Sequence, residues 1–164
     1  MNIVAAVATI QLDGALSFRD LMKSDKFINV RRKGDLLILH FDHTKKRIAI
    51  VLRSKKVIVI VHKTDNADRL IRSFCKKVAR RIYRACKIEG GRVHNYVIKN
   101  YVAKIATSEN NVPVCFKTQN GAKVTFTPNG IVIVNCKSHE AINEALEEAK
   151  GRYLEERLHL LNME

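Results

Sequence analysis

The strongest constraint on the fold is an internal repeat. Shifting the sequence by 74 residues brings Lys63 onto Lys137, and the apolar run 57–60 then falls on 131–134. The same shift aligns the preceding runs, 48–55 and 122–129. Each copy therefore predicts two strands joined by a tight turn, and the segment TPNG at 127–130 has ordinary hairpin chemistry. A chain built of two related halves follows.

A long amphipathic helix is predicted after each hairpin. The first covers 64–86, with Thr64 or Asp65 as the candidate N-cap, and the second covers 138–158 and begins at Ser138. Helical spacing places the apolar residues of each segment on one face. These are Leu70, Ile71, Phe74, Val78 and Ile82 in the first, and Ile142, Ala145, Leu146, Ala149, Tyr153 and Leu154 in the second.

Further strands are expected ahead of each hairpin. Segments 4–12 and 96–107 would open the halves, and 35–42 and 112–119 would be the second strands. Only the first half has room for a short helix, at 17–24, capped by Ser17. We therefore predict an α+β chain with repeats at 1–88 and 89–164, each a strand, a three-stranded meander and a long helix.

The positive charge is concentrated in the first half. The net charge is +14, and residues 1–88 hold 21 Lys and Arg with 7 Asp, whereas 89–164 hold 9 Lys and Arg with 9 Glu. Such a field favours a polyanion, nucleic acid first and then an acidic protein surface. A solubilising surface is the alternative.

One face of each predicted half-sheet lacks a cover. If the long helix packs on one side, then Ile58, Ile60, Val132 and Val134 point the other way. An apolar face of that size needs a partner. A second sheet or a dimer mate is one solution, and a widened DNA minor groove, with basic residues meeting phosphates at its rim, is another.

The sequence does not predict a metal site, a cofactor site or a catalytic site. The cysteines (Cys75, Cys86, Cys115, Cys136) form no CxxC pair and lie in apolar patterns typical of buried free thiols. His40 and His43 have a spacing that zinc accepts, but no second pair completes four ligands. No phosphate loop or GxSxG motif occurs, so no enzyme is expected. The apolar opening segment lacks a basic n-region, which favours an intracellular protein.

The chain resembles the TATA-binding protein (TBP) family over nearly its whole length. The resemblance rests on VATIQL (7–12) and IKNYVAKI (98–105) as opening strands, on the duplicated hairpins ending in Lys63 and Lys137, and on the two long helices. It implies one saddle-shaped domain: two direct repeats of a curved antiparallel sheet, with helices on the convex face. It also implies a transcription initiation factor that binds duplex DNA through the minor groove. Members of the family bend the DNA by inserting apolar side chains between base steps.

The base-reading and wedge positions of the family are largely replaced. Asn100 matches one base-reading asparagine, while its first-repeat counterpart is Ala5 and the two threonines fall on Ile60 and Val134. Of four wedge phenylalanines only Phe126 remains. The others fall on Leu52, Val112 and Gly34, of which the leucine and valine are still apolar. The resemblance thus implies relaxed base specificity.

Other contacts implied by the resemblance survive in kind. Phosphate contacts are expected from Lys63, Lys137, Lys56 and Lys33. The predicted apolar floor is Val7, Ile50, Ile58, Val102, Val124 and Val132. Arg53 and Ser54 in the first hairpin and Lys104 in the second opening strand complete the predicted DNA-binding set. We expect binding through phosphates and shape, with AT-rich promoter-like DNA as the partner.

The predicted partner surface is the basic first long helix. The cations of this surface are Arg69, Arg72, Lys76, Lys77, Arg80 and Arg81. They would bind an acidic general transcription factor or polymerase subunit, or they would simply be solvated. The segment 107–113 is too short to copy the family's loop for the B-type initiation factor. We expect a monomer or weak dimer, in the nucleus or at a site of viral transcription, since the divergence suggests a large DNA virus. A protein-interaction module and an accessory domain of a nuclease or repair system are the alternatives.

Overall fold

The computed structural model describes residues 1–13, 16–25, 27–40, 46–51, 56–106 and 114–161. The chain divides into two compact units, and the two division points each fall within a strand: an N-terminal unit, Val4–Lys99, and a C-terminal unit, Asn100–Glu164 with Met1–Ile3. The predicted boundary between 88 and 89 lies earlier in the chain, in the segment that follows a helix ending at Ala85. The elements are β1 (Asn2–Leu12), α1 (Phe18–Lys23), β2 (Ile28–Lys33), β3 (Leu36–His40), β4 (Lys46–Val51), β5 (Lys56–His62), α2 (Ala67–Ala85), β6 (Val93–Ala106), β7 (Cys115–Lys117), β8 (Lys123–Thr127), β9 (Gly130–Cys136) and α3 (His139–Leu161).

The N-terminal unit is an antiparallel sheet in the order β2-β3-β4-β5-β1. Strand β2 is missing from the sequence-based prediction, which expected a three-stranded meander. Its sequence INVRRK has only two apolar residues, Ile28 and Val30, and ends in three cations, so it lacks the alternation that marks a strand. Hydrogen bonding to β3 therefore holds this segment in an extended conformation that its own sequence does not predict.

The core of the N-terminal unit lies between β5 and α2. Val57, Val59 and Val61 are fully buried, whereas the residues between them are half-buried. Helix α2 packs on β5 with a buried stripe that includes Ile71, Phe74, Val78 and Ile82, as predicted. Leu70 is instead 40% exposed, because it lies one position round the helix from Ile71.

The helix starts were predicted with mixed success. The Ser17 hydroxyl accepts a hydrogen bond from the Asp20 backbone N–H (3.2 Å), and Ser138 caps α3 through the Ala141 N–H (3.1 Å), both as expected. Helix α2, however, begins at Ala67. The Thr64 N–H still bonds to the Val4 carbonyl (3.3 Å), so the chain leaves the sheet only after that residue.

The C-terminal unit repeats this design with β6-β9-β8-β7 and α3. A two-residue turn, Pro128 and Asn129, pairs Thr127 with Gly130 and Phe126 with Ile131. The core consists of alternate strand residues and one stripe of the helix. These buried residues include Tyr101, Ala103, Val124, Phe126, Ile131 and Ile133 from the strands, and Ile142, Ala145 and Ala149 from α3.

The four cysteines are free, but they are not uniformly buried. Cys75 and Cys136 are buried, and burial raises the pKa of the Cys75 thiol to about 12. Cys86 is half-buried, and Cys115 is exposed, which corrects the prediction for those two. Cys115 alternates with half-buried Phe116 on a three-residue edge strand, so it points away from the core.

A hydrogen-bonded cluster holds the segment after α2 against the end of β1. The Asp13 N–H donates to the Tyr83 hydroxyl (2.7 Å), which donates to the Arg92 carbonyl. The Asp13 carboxylate accepts a hydrogen bond from the Arg92 backbone N–H (2.9 Å). Its other oxygen lies 2.6 Å from His94 Nε2, within hydrogen-bond distance. The Arg92 N–H is the main cause that lowers the pKa of Asp13. At Gly91 a Cβ would lie 2.4 Å from the Tyr83 ring, so any larger residue would have to displace the ring that makes these hydrogen bonds.

None of the described helices is long and apolar enough to cross a membrane.

Candidate nucleic-acid interface

The open face of the N-terminal unit is the side of its sheet away from α2, and its centre is aliphatic. Ile58 and Ile60 are half-buried there, between the buried valines of β5. The register of β1 on β5 pairs Val7 with Ile60 and Ala5 with His62. The structure therefore brings together on one face four of the predicted site residues, Ala5, Val7, Ile58 and Ile60.

Cations border this face at both ends of β5. Lys33 pairs with Leu36 across β2 and β3, Leu36 pairs with Val51, and Val51 pairs with Lys56. One cross-strand row thus has a lysine on two of its strands, and Lys33 is exposed. Lys63, also exposed, follows β5 in a left-handed conformation (φ 52°). Cations beside an apolar floor suit a ligand with apolar surfaces and phosphates.

The open face of the C-terminal unit, away from α3, mixes valines with cations. Val132 and Val134 are half-buried, as is Val102 on β6. One row pairs Lys104 with Val132, Val132 with Thr125 and Thr125 with Cys115. The next row pairs Val134 with Lys123 and Lys123 with Lys117. Exposed Lys137 follows β9.

Val124 and Phe126 do not lie on this open face, so the prediction of a floor valine and a wedge phenylalanine there is wrong. They are 0% and 4% exposed and pair with buried Ile133 and Ile131. The two-residue turn fixes this register, and side chains alternate along a strand. Thr125 and Thr127 therefore share the face of Val132. Phe126 stacks on Phe116 (6.3 Å between ring centroids) in the core.

Other predicted positions are less informative. Ile50 is paired with Val57, a register position of the buried face, and not with a residue of the open face. Gly34 lies in the turn between β2 and β3 (φ 58°) and has no side chain to wedge with. Leu52, Arg53, Ser54 and Val112 lie outside the described residues.

Asn100 is held in one orientation by the backbone of β9. Its Oδ1 accepts the Asn135 N–H (2.9 Å), where Asn135 has a positive φ (64°) beside an irregularity in the β6–β9 pairing. Because the partner is an N–H donor, the side-chain oxygen must face it, which gives the amide NH₂ the donor role elsewhere. A·T pairs present only acceptors in the minor groove, so an oriented donor suits them.

The outer face of α2 is a second basic surface. Arg69, Arg72, Lys76, Lys77 and Arg80 are exposed and Arg81 is half-buried, all off the stripe that packs on β5. The Arg72 guanidinium lies 5.7 Å from the Tyr96 ring centroid. Asp68 is the only carboxylate in the helix. The predicted partner-binding cations therefore do share a surface, separate from the open face of the same unit.

Sequence reasoning missed the lysines of β7 and β8. Lys117, Lys123 and Thr125 share the open face with Lys104, but only Lys104 belonged to the predicted set. The signal that could have found them is the alternation in KVTFT. Its Lys and two Thr residues point to one face of the sheet, and its Val and Phe point to the other. Aligning Phe126 with a wedge position hid that alternation.

Comparison with known proteins yields a structural match alone. No family model matches the chain, and no curated protein matches it. Among solved structures it is similar to Methanococcus jannaschii TBP, with a TM-score of 0.68 and 17% sequence identity, over 90% of this chain and 94% of that chain. At this identity the similarity shows the fold and nothing finer. The predicted α+β, TBP-like fold is thereby confirmed.

Proposed function

We propose that this chain is a TBP-like transcription initiation factor that binds the minor groove of duplex DNA with the open faces of its units and has relaxed base specificity. The observation that carries the proposal is a set of half-buried aliphatic residues, Ile58, Ile60, Val132 and Val134, opposite the helix-covered face and beside lysines. The net charge of +14 and the TBP-like fold support it.

Relaxed specificity follows from the chemistry of these faces. Aliphatic side chains contact sugars and base edges without hydrogen-bond readout, and lysines bind phosphates of any sequence. Asn100 is the one predicted base-reading position that retains a polar side chain. A bend in the bound duplex would depend on Leu52 and Val112, since Phe126 is part of the core.

Binding should be measured by titrating labelled AT-rich and GC-rich duplexes at about 50 and 200 mM salt, a range over which phosphate contacts strongly weaken affinity. We expect nanomolar to micromolar binding at low salt, a steep salt slope and a small AT preference. Absence of binding to both duplexes at low salt would refute the proposal. Equal binding to both would retain DNA as the ligand and remove the AT preference.

The open face itself can be tested with a matched pair of variants. Ile60→Asp places a carboxylate on the half-buried floor, and Leu70→Asp makes the same charge change on α2, where the leucine is 40% exposed. Both proteins should fold, as checked by circular dichroism and urea unfolding. We expect at least roughly tenfold weaker DNA binding for Ile60→Asp alone, because a buried negative charge meets the duplex.

The basic face of α2 favours a second candidate function, the binding of an acidic protein partner such as a general transcription factor or a polymerase subunit. Its cations project from a rigid helix that contains one carboxylate. Replacing Arg72, Lys76 and Arg80 by Glu should abolish capture of an acidic peptide and leave DNA affinity nearly intact. Loss of DNA binding without loss of peptide binding would assign this helix to DNA instead.

A further inference from the structure

The open face of the C-terminal unit contains a lysine arrangement that its fold does not require. Lys117 on β7 lies directly opposite Lys123 on β8, and both side chains are exposed. Like charges in a direct cross-strand pair destabilise a sheet. Lys104, two strands away on β6, shares the face because its pairing partner Val132 also pairs with Thr125, two residues from Lys123.

No carboxylate on this unit's strands offsets these charges. The sequences of β6, β7, β8 and β9 contain no Asp or Glu. Helix α3 packs on β9 from the other face of the sheet, and it contains six glutamates: Glu140, Glu144, Glu147, Glu148, Glu155 and Glu156. The face therefore presents three cations and a threonine hydroxyl to whatever approaches it.

We infer that Lys104, Lys117 and Lys123 form a phosphate-binding patch that anchors one strand of duplex DNA on the C-terminal unit. The inference rests on the proposed function and names residues for it. Neighbouring strands lie about 5 Å apart, so the patch extends over roughly 10–15 Å of sheet. Duplex DNA carries one charge per about 1.7 Å of axis, so more than one phosphate lies within reach of such a patch.

The placement of Thr125 and Cys115 supports the patch and supplies a probe for it. The Thr125 hydroxyl lies 3.5 Å from the Cys115 Sγ, next to the lysine pair on the same face. Cys115 is the exposed thiol of the four, whereas Cys75 and Cys136 are buried. A DNA phosphate backbone bound to these lysines would cover Cys115. Bound DNA should therefore slow the alkylation of the Cys115 thiol.

The decisive variant is Lys117→Gln with Lys123→Gln. Each phosphate contact contributes about 0.9 to the slope of log affinity against log salt, so the double variant should lower the slope by nearly 2 and weaken binding at least roughly tenfold. The control is Lys23→Gln with Lys150→Gln, an equal charge change at exposed positions on α1 and α3. The control should bind like the parent protein.

The outcomes separate this inference from the proposed function. If the parent protein binds neither duplex, both fail. If it binds DNA and the Lys117 and Lys123 variant has an unchanged salt slope, or if the control loses as much, the patch is refuted and the proposed function stands. Binding of duplex RNA with the same slope and no binding of DNA would also overturn it.

Unfolding and alkylation exclude a merely structural effect. The double variant should be at least as stable as the parent protein, because it removes a like-charge pair. DNA should protect Cys115 in the parent protein and less so in the variant. Alkylation of Cys115 at the same rate with and without saturating DNA would contradict the patch.

Discussion

The two units differ on their open faces and agree on their buried ones. In the N-terminal unit, β5 buries Val57, Val59 and Val61, and in the C-terminal unit β9 buries Ile131 and Ile133, each under one long helix. The open residues Ile58 and Ile60 correspond to Val132 and Val134, but the lysines are placed differently. Lys33 and Lys56 lie in one row at an end of the N-terminal face, whereas Lys117 and Lys123 form a direct cross-strand pair in the row of Val134. In β5 and β9 the alternate residues that face the long helix are apolar in both units, whereas the residues around the open positions differ between the units.

The same comparison applies at the hairpin turns. Shifted by 74 residues, Gly130 falls on Lys56. Lys56 pairs with Gln11 and has room for a long side chain, whereas a Cβ on Gly130 would lie 2.1 Å from the Ile105 carbonyl oxygen. The C-terminal hairpin thus requires glycine at a position where the N-terminal hairpin has a lysine.

The largest expected effect tests which residues of β8 are buried. Phe126→Ala should lower the free energy of unfolding by about 3–5 kcal/mol, because it empties a core position that is 4% exposed. Thr125→Ala, on the adjacent open position, should cost less than about 1 kcal/mol. Chemical unfolding measures both. Equal, small losses together with reduced DNA bending would return Phe126 to the open face.

A smaller loss is expected where the two hairpins differ. Gly130→Ala forces a methyl group against backbone and should cost about 1–3 kcal/mol or more, while Lys56→Ala should be nearly neutral. Urea midpoints compare the two directly. If Gly130→Ala is as stable as the parent protein, the close approach to Ile105 does not exist.

Restoring the threonines implied by the TBP resemblance should sharpen base reading without changing the fold. Ile60→Thr with Val134→Thr places a hydroxyl on each open face at half-buried positions. We expect AT over GC discrimination to rise by about 1 kcal/mol, close to fivefold, as hydrogen bonds to base edges form. Unchanged discrimination in paired titrations would mean that these positions do not reach the bases.

The smallest effect concerns the acid dependence of the N-terminal unit. The lowered pKa of Asp13 means that its stabilising contribution is present above its unfolded pKa of about 4 and is lost as the pH falls through the folded pKa. Asp13→Asn should therefore lower the melting temperature slightly near pH 7, with the difference shrinking as the pH falls below the unfolded pKa of about 4. A constant difference across this range would exclude the carboxylate charge as the cause.

The open and buried residues of β5 and β9 and the Ser17 and Ser138 caps were predictable from the sequence, while the register of β8 and the start of α2 were not. The duplicated apolar runs correctly predicted both hairpins and both long helices. The face of Phe126 depends on whether the turn has two or more residues, which pattern alone does not decide. Strand β2 is specified by its pairing with the next strand, β3, and the start of α2 by the Thr64 bond to β1, a contact distant in sequence.

The outer strands of the two units have a consequence for self-association. Strand β7 has three residues and ends in Lys117, and β2 combines an irregular pairing with Arg31, Arg32 and Lys33. Short, charged or irregular edges are poor templates for adding another strand. Edge-to-edge polymerisation through these two strands is thereby disfavoured.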